Sequence, residues 1–546
     1  MRGYAIGIDF GTESARAVLA DVVGGRLVTT ATFVYPHGVI DRVLPGGTTA
    51  LLPDYALQNP QDWLAALETL LRQIAAAVSA EDIIGIGIDF TSCTVLPTTA
   101  DGTPLCIRPE YRWEPHAWPK LWKHHAAQPY ADRFNMSGWE GLRWYGGRTS
   151  SEWLWAKVWQ VLEEAPQVFA AAPRFIEGGD WVVWMLTGRE VRSACQAGYK
   201  AHWQPGEGYP PTPLLQRLHP GLPSVLDRLG PPHPLGAPAG GLTEAWAART
   251  GLRTGTPVAT AIIDAHAAVP GVGVAEAGRL VAIVGTSTCH LILDEQRRPI
   301  PGISGVVRDG ILPGFYGYEA GQVSVGDMLE WFVQTYGVPQ HGDQAVAFAR
   351  LEAEAGTLTA GESGLLALDW WNGCRTPLVD ADLSGVLLGL TLATRPPEIY
   401  RALLEATAFG TRLVLDTFAQ GGIAVDEIHA CGGVAAKSPL LLQLYADITG
   451  RPVHAYDLAH ASALGAAVYG AAAGGAYPDL LDAARAMGAR PASRYEPRDG
   501  PRQAYDVLYD IYREVHASFA RPEGVIKRLR RLRRGAPREP SPTRIR

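Results

Sequence analysis

Lysine is scarce in this chain. Only six of its 546 residues are lysine (Lys120, Lys123, Lys157, Lys200, Lys437 and Lys527), so arginine carries nearly all the positive surface. A lysine here is less expected to be solvated filler, which draws attention to Lys200 and Lys437. Paired cysteines are missing too. Cys93, Cys106, Cys195, Cys289, Cys374 and Cys431 are scattered with no CxxC pair, so they read as reduced cytosolic thiols rather than a disulfide or zinc framework. No apolar run approaches the ~20 residues of a membrane helix. The nearest stretch, Leu464 to Tyr477, is short and rich in Gly and Ala, and Asp9 interrupts the first apolar run, which excludes a signal peptide. A net charge of -7 argues against a general nucleic-acid binder. A Walker A loop is absent: in Cys431-Gly432-Gly433-Val434-Ala435-Ala436-Lys437-Ser438 the two required glycine positions hold Cys431 and Ala436.

Present instead are two short glycine turns, one opening each half of the chain. The first is Ile6-Gly7-Ile8-Asp9-Phe10-Gly11-Thr12-Glu13-Ser14, and the second is Val281-Ala282-Ile283-Val284-Gly285-Thr286-Ser287-Thr288. Each is an apolar strand that breaks at glycine and continues through Thr and Ser. Such a turn suits a β-hairpin that offers backbone N–H and hydroxyl donors to phosphate. One alone is an ordinary hairpin. Two imply a duplicated nucleotide-binding core with phosphate held between the halves.

The 546 residues are too many for one core and fit two large domains. Composition, 47% hydrophobic and 19% charged, is that of a soluble globular protein. Apolar patterning predicts strands over Tyr4–Asp9, Ala15–Asp21 and Leu27–Val34, an amphipathic helix over Pro60–Val78 and a strand over Ile83–Phe90, an α/β order. Arg108 to Trp203 is rich in Trp and reads as a pocket-lining elaboration. Pro205 to Pro238, loaded with Pro and Gly, reads as irregular loop. Strands resume at Pro257–Ile263. Later come a helix over Ile399–Phe418, a strand over Glu427–Ala430, and helices over Ser438–Thr449, Ala461–Ala473 and Tyr505–Phe519. Arg521 to Arg546 reads as a frayed helix end and a disordered tail, with RNA or membrane binding as the alternative.

Two carboxylates stand out. Asp9 ends a strand two residues before Gly11, where it either caps the turn or faces a cation such as the hydrated Mg²⁺ of ATP. Asp264 follows Val258–Ile263 and precedes Ala265-His266-Ala267-Ala268, a helix start. It is either an N-cap or a general base that takes a proton from a hydroxyl attacking the γ-phosphorus of ATP. Ser92, Trp122, Lys200 and Glu319 sit at strand ends and loops where they could hold a small polyol. The Gly432-Gly433 turn could lie against a flat ring, although most such turns are structural.

Together IGIDFGTES, the VGTST turn, IIDAH and CGGVAAKSPLLLQLYADITGRPV resemble the FGGY family of carbohydrate kinases, built on the duplicated actin-like, ribonuclease H-like ATPase core of two lobes around a central cleft. IDFTSCTVLP, RPEYRWEPHAWPKLWKHHAA, GGRTSSEWLWAK, AGYKAHW, GFYGYEAGQVSVGDMLEWF and LDWWNGCRTP resemble the L-ribulose-phosphorylating branch of that family. The likeness runs from the N-terminus to about residue 475, and the Arg-rich tail lies outside it.

The resemblance implies an N-terminal domain over 1–268 and a C-terminal domain over 269–520, with ATP and Mg²⁺ as cofactors. It implies Asp264 as catalytic base and Asp9 near the metal. Gly11, Thr12 and Ser14 fall at the first phosphate turn and Gly285 and Thr286 at the second, with Gly432, Gly433 and Lys437 around the adenosine. Ser92, Trp122, Lys200, Asp264 and Glu319 form the sugar shell. A cytoplasmic enzyme, a homodimer by family habit, and no nucleic-acid or membrane partner complete the expectation. Two positions depart from the commoner pattern: many relatives carry Asp where this chain has His124, and Asn near Ser438. The readings left open are an FGGY kinase for D-ribulose, ribitol or xylulose, and an actin-like or chaperone-like ATPase.

Overall fold

Alternation and turn chemistry place the first strands where the sequence predicts them. In the computed structural model, which describes residues 3–48 and 50–535, β1 (Tyr4–Phe10) and β2 (Ser14–Asp21) form an antiparallel hairpin around Gly11, and β3 (Leu27–Val34) extends it. Helix α1 (Pro60–Ala75) starts with Pro60 in its first turn and Asn59 capping Gln61 N, then leads into β4 (Ile83–Phe90), which pairs parallel with β1. β5 (Pro238–Gly241), β6 (Pro257–Ala259) and β7 (Ile262–Ile263) complete a seven-stranded sheet in the order β3-β2-β1-β4-β6-β5, with β7 also on β4.

The second half repeats this plan. β8 (Arg279–Val284) and β9 (Thr288–Asp294) form the second hairpin, around Gly285. β10 (Gly305–Arg308), β11 (Tyr316–Gln322), β12 (Glu427–Cys431), β13 (Val453–Ala455) and β14 (Ser493–Tyr495) join them in the order β10-β11-β9-β8-β12-β13-β14. β12 lies parallel to β8 as β4 does to β1. Two sheets with the same hairpin, crossover and parallel neighbour are the duplication that the two glycine turns imply.

A layer shared by both halves lies between the sheets. It is built on α4 (Asp264–Gly271) and α7 (Ala461–Ala473) and collects Ala5 and Val18 from one sheet with Val281 and Leu291 from the other. Before α4 come α2 (Leu154–Glu164) and α3 (Ala194–Lys200) in the Trp-rich region; between α4 and α7 come α5 (Pro396–Gln420) and α6 (Pro439–Thr449), the latter capped by Ser438 and closed by left-handed Gly450.

Close approach explains the small residues of α7. A Cβ on Gly87 would lie 1.8 Å from the Ala466 carbonyl oxygen, and one on Gly7 1.8 Å from that of Ala463. Backbone cannot yield as a side chain can, so Gly87→Ala is expected to destabilise by about 1–3 kcal/mol, read as a lower denaturant midpoint. Gly500→Ala, in the helix Asp499–Phe519 and with nothing within 4 Å of its Cβ, is the control expected not to lower the midpoint.

Two expectations change. Pro205 to Pro238 is not wholly irregular: Thr212–Leu218 is an α-helix, Leu222–Arg228 a 3₁₀ helix and Pro232–His233 a short strand. Leu214, Leu215, Leu222 and Val225 are buried against the Trp-rich subdomain, and that packing orders a segment whose local signals are those of a loop. After α8 (Asp499–Phe519), Val525–Gly535 forms a further helix, α9, with Arg530 donating to the Leu383 carbonyl and Lys527 paired with Asp380. The rest of the expected tail, 536–546, lies outside the described residues.

Candidate active site

The carboxyl ends of the parallel strands β1, β4 and β7 meet beside the first glycine turn, and each delivers a carboxylate or its neighbour. Register sets Asp9 opposite Asp89 and Ile262 opposite Asp89, so Asp9, Asp89 and Asp264 gather at one place. There a cavity of about 550 Å³ opens, lined by Asp9, Gly11, Thr12, Ser92, Trp122, Lys200, Asp264, Gly285, Thr286 and Glu319. These residues span both halves of the chain, and only folding makes them neighbours. Ser14, Gly432, Gly433 and Lys437 do not line it. Ser14 is buried in the hairpin, where its carbonyl accepts from Gly11 N at 3.0 Å.

Both glycine turns are braced. Gln58 Nε2 donates to the Thr12 carbonyl at 2.8 Å, and Trp122 Nε1 donates to Thr12 Oγ1 at 3.1 Å, which joins a predicted sugar-shell residue to a predicted phosphate-turn residue. In the second turn Gly285 N donates to Ser287 O at 2.9 Å, and Gly326 N to Gly285 O at 3.0 Å. Val434 N donates to Val284 O at 3.1 Å, so the Gly432-Gly433 turn abuts the second glycine turn. Gly432 has φ +99, and a Cβ there would lie 2.6 Å from Val284 O.

Asp264 is the first residue of α4. Its Oδ1 accepts from Ala265 N at 2.7 Å, so both sequence readings meet in one residue: it faces its own helix N-terminus and also lines the cavity. Burial, then the nearby Asp9 carboxylate, pushes its pKa up to about 7. Asp89 is fully buried, neither of its oxygens has a hydrogen-bond partner, and burial followed by Asp9 and Asp264 raises its pKa well above the ordinary value. Asp9 has a resident cation, Arg16, whose Nη1 lies 3.4 Å from Oδ2. The Asp9 carboxylate lines the cavity with the hard oxygen donors that suit Mg²⁺, and Asp89 lies opposite it in register.

Elsewhere in the cavity, Lys200 at the end of α3 donates to both oxygens of Glu319 on β11, at 3.0 and 2.8 Å. The pair is buried and joins the Trp-rich region to the second sheet. Burial works against both charges, but each partner overrides it: Lys200 is held above its ordinary pKa and Glu319 below. His266 Nε2 stands 3.4 Å from Glu319, and burial keeps that imidazole neutral, its pKa lowered to about 3.

His124 does not line the cavity. It is fully buried, with Nε2 2.9 Å from Gln160 Oε1, so the departure at this position is a core hydrogen bond.

Three further groups escaped the sequence reading. Lys157, buried on α2, donates to the carbonyls of Leu121 at 2.9 Å, Lys120 at 3.1 Å and Cys93. One ammonium thereby ties together the two loops that carry Trp122 and Ser92. Lysine scarcity was the available signal, but it drew attention to Lys200 and Lys437, of which Lys437 is exposed, and not to Lys157. Glu152 and Arg375 also line the cavity and pair across it at 3.6 Å. Arg375 sits in LDWWNGCRTP, whose Thr376 N donates to Gly321 O at 3.2 Å and so docks the loop beside the Glu319 strand.

Comparison with known proteins agrees with this geometry. Residues 280–474 match the C-terminal domain of the FGGY family of carbohydrate kinases. The chain is 47% identical to a ribulokinase of Geobacillus thermodenitrificans over 96% of both chains. It is 48% identical to a ribulokinase of Bacillus licheniformis, over 95% of this chain and 97% of that one. Among solved structures, xylulose kinase from Rhodospirillum rubrum superposes with a TM-score of 0.77 over 94% of this chain and 99% of that one, at 23% identity, a likeness of fold.

Proposed function

The chain belongs to the FGGY family of carbohydrate kinases and is an ATP-dependent sugar kinase, and from that premise we propose that its acceptor is L-ribulose, phosphorylated at the C5 hydroxyl by direct in-line transfer. The observation that carries the reading is Asp264: a carboxylate at a helix N-terminus that lines one cavity together with residues of both glycine turns and the Lys200–Glu319 pair.

Asp264 accepts the proton of the C5 hydroxyl as that oxygen attacks the γ-phosphorus. Gly11, Thr12, Gly285 and Thr286 offer backbone and hydroxyl donors to the triphosphate, and Gly432, Gly433 and Lys437 lie on the adenosine side. Ser92, Trp122, Lys200 and Glu319 orient the sugar so that only one hydroxyl reaches Asp264. Asp9 would hold the Mg²⁺ that arrives with ATP, and that ion would neutralise charge on the phosphates. The two halves, divided near residue 268, enclose both substrates and keep water from the phosphoryl group.

The test is ADP release from purified protein with Mg-ATP against pentuloses and pentitols, both ribulose enantiomers included. Stimulation strongest with L-ribulose is the expected result. Strongest stimulation by D-ribulose, ribitol or xylulose overturns the acceptor while keeping the kinase. Sugar-independent release overturns the transfer and leaves an actin-like ATPase.

A further inference from the structure

Outside the cleft, the second sheet places two imidazoles and a carboxylate together on one face. Strands β12 and β13 run parallel with His429 in register with His454. The two rings are stacked, with centroids 4.9 Å apart and planes within 14°. Glu427 precedes His429 by two residues and therefore shares its face. Its carboxylate spans both rings: Oε1 is 2.9 Å from His429 Nε2 and Oε2 is 3.0 Å from His454 Nε2. One donor atom from each side chain falls within 4.8 Å of the others.

What surrounds these atoms matches what a bound cation needs. Tyr456 Oη lies 2.6 Å from His429 Nδ1, so when that nitrogen carries the proton and donates it to the phenol, Nε2 is left as a free lone pair. Arg279, in register with Glu427 on β8, holds Oε1 at 3.0 Å through Nε. It fixes the carboxylate and leaves Oε2 toward the rings. His454 and Glu427 are partly exposed, which gives a path for entry and room for a water ligand. Two imidazole nitrogens and one carboxylate oxygen are the donors that zinc and its borderline neighbours prefer, whereas Mg²⁺ prefers oxygen throughout.

We propose that Glu427, His429 and His454 form a binding site for one divalent transition cation of the Zn²⁺ or Co²⁺ type, separate from the ATP and sugar cleft. None of the three lines the cleft cavity. The cation would clip β12 to β13 just before the chain turns at Gly432-Gly433, and its role is structural.

The experiment uses the full chain stripped with a chelator. Co²⁺ is titrated while its visible d–d absorption is followed, and Zn²⁺ is titrated against a chromophoric competitor, both in excess Mg²⁺. One equivalent is expected in the wild type, with binding at least about tenfold weaker in His454→Asn and in Glu427→Gln. Both variants should keep sugar-dependent ADP release, which shows that they fold, and the wild type alone should melt higher when Zn²⁺ is added. Equal affinity in wild type and variants, or no binding by the wild type, overturns the site and leaves a carboxylate shared by two histidines. If His454→Asn does not fold, Glu427→Gln, which keeps the side-chain shape, decides between the two.

Discussion

Asp264→Asn is expected to lose at least about 10²–10⁴-fold in sugar-dependent turnover while ATP binding is retained. The amide cannot accept the hydroxyl proton, yet it keeps the size of the carboxylate and can still accept from Ala265 N. The pH profile gives a second readout. With the Asp264 pKa raised to about 7, by burial and then by Asp9, the wild-type kcat/KM should rise with pH through that region as the base loses its proton, and the variant should lack that limb. Stability should move the opposite way. A carboxyl whose pKa is raised by folding favours the folded state below the ordinary carboxylate range, and this advantage is lost as pH rises to about 7. At pH 8 the wild type therefore carries a buried charge that Asn lacks, so Asp264→Asn should melt no lower than wild type. Near-normal turnover, or a variant that fails to bind ATP, would defeat the assignment.

Lys200→Met is expected to be the most damaging single change to the sugar side. Removing the ammonium leaves Glu319 buried without the partner that holds it ionised, a loss of about 3–5 kcal/mol for a buried pair broken on one side. Sugar-stimulated ADP release should vanish with it. Stability and function separate in the double variant Lys200→Met, Glu319→Leu: with no uncompensated charge left, the denaturant midpoint should recover most of the loss. Turnover should not recover, because the polar pair that faces the cavity is gone. Recovered turnover would mean that the pair is a structural strut and not part of the sugar shell.

How much of this was legible depended on the range of the interaction. Strand Ile83–Phe90 and helix Ala461–Ala473 were read to the residue, because alternation, small-residue runs and turn signals are local. The loop reading of Pro205–Pro238 failed because the burial of Leu214 and Leu222 against the Trp-rich subdomain orders that stretch, and nothing within it announces the partner. The same holds at the site. Gly11 and Asp264 were found because each stands where an apolar strand has just stopped; Glu319, read at a strand end or loop, instead lies mid-strand in β11, where pairing with both neighbouring strands holds it. Lys157 was missed because its three acceptors are carbonyls 36 to 64 residues away, which leave no mark in the side-chain sequence. Arg375 was quoted within its segment without a role, because its partner Glu152 lies in the other half of the chain.

By itself the sequence determined a duplicated α/β core, two glycine turns, the absence of a Walker A loop and the carboxylate at the end of Val258–Ile263. These follow from periodicity and backbone preference over a few residues. Only the tertiary structure decided that Trp122 braces the first turn, that Lys200 meets Glu319, that Asp89 stands unpartnered opposite Asp9, and that His429 stacks on His454. Each of these joins strands or loops through sheet register and helix docking. Register and docking are set by the summed packing of both halves, and no local pattern encodes that sum.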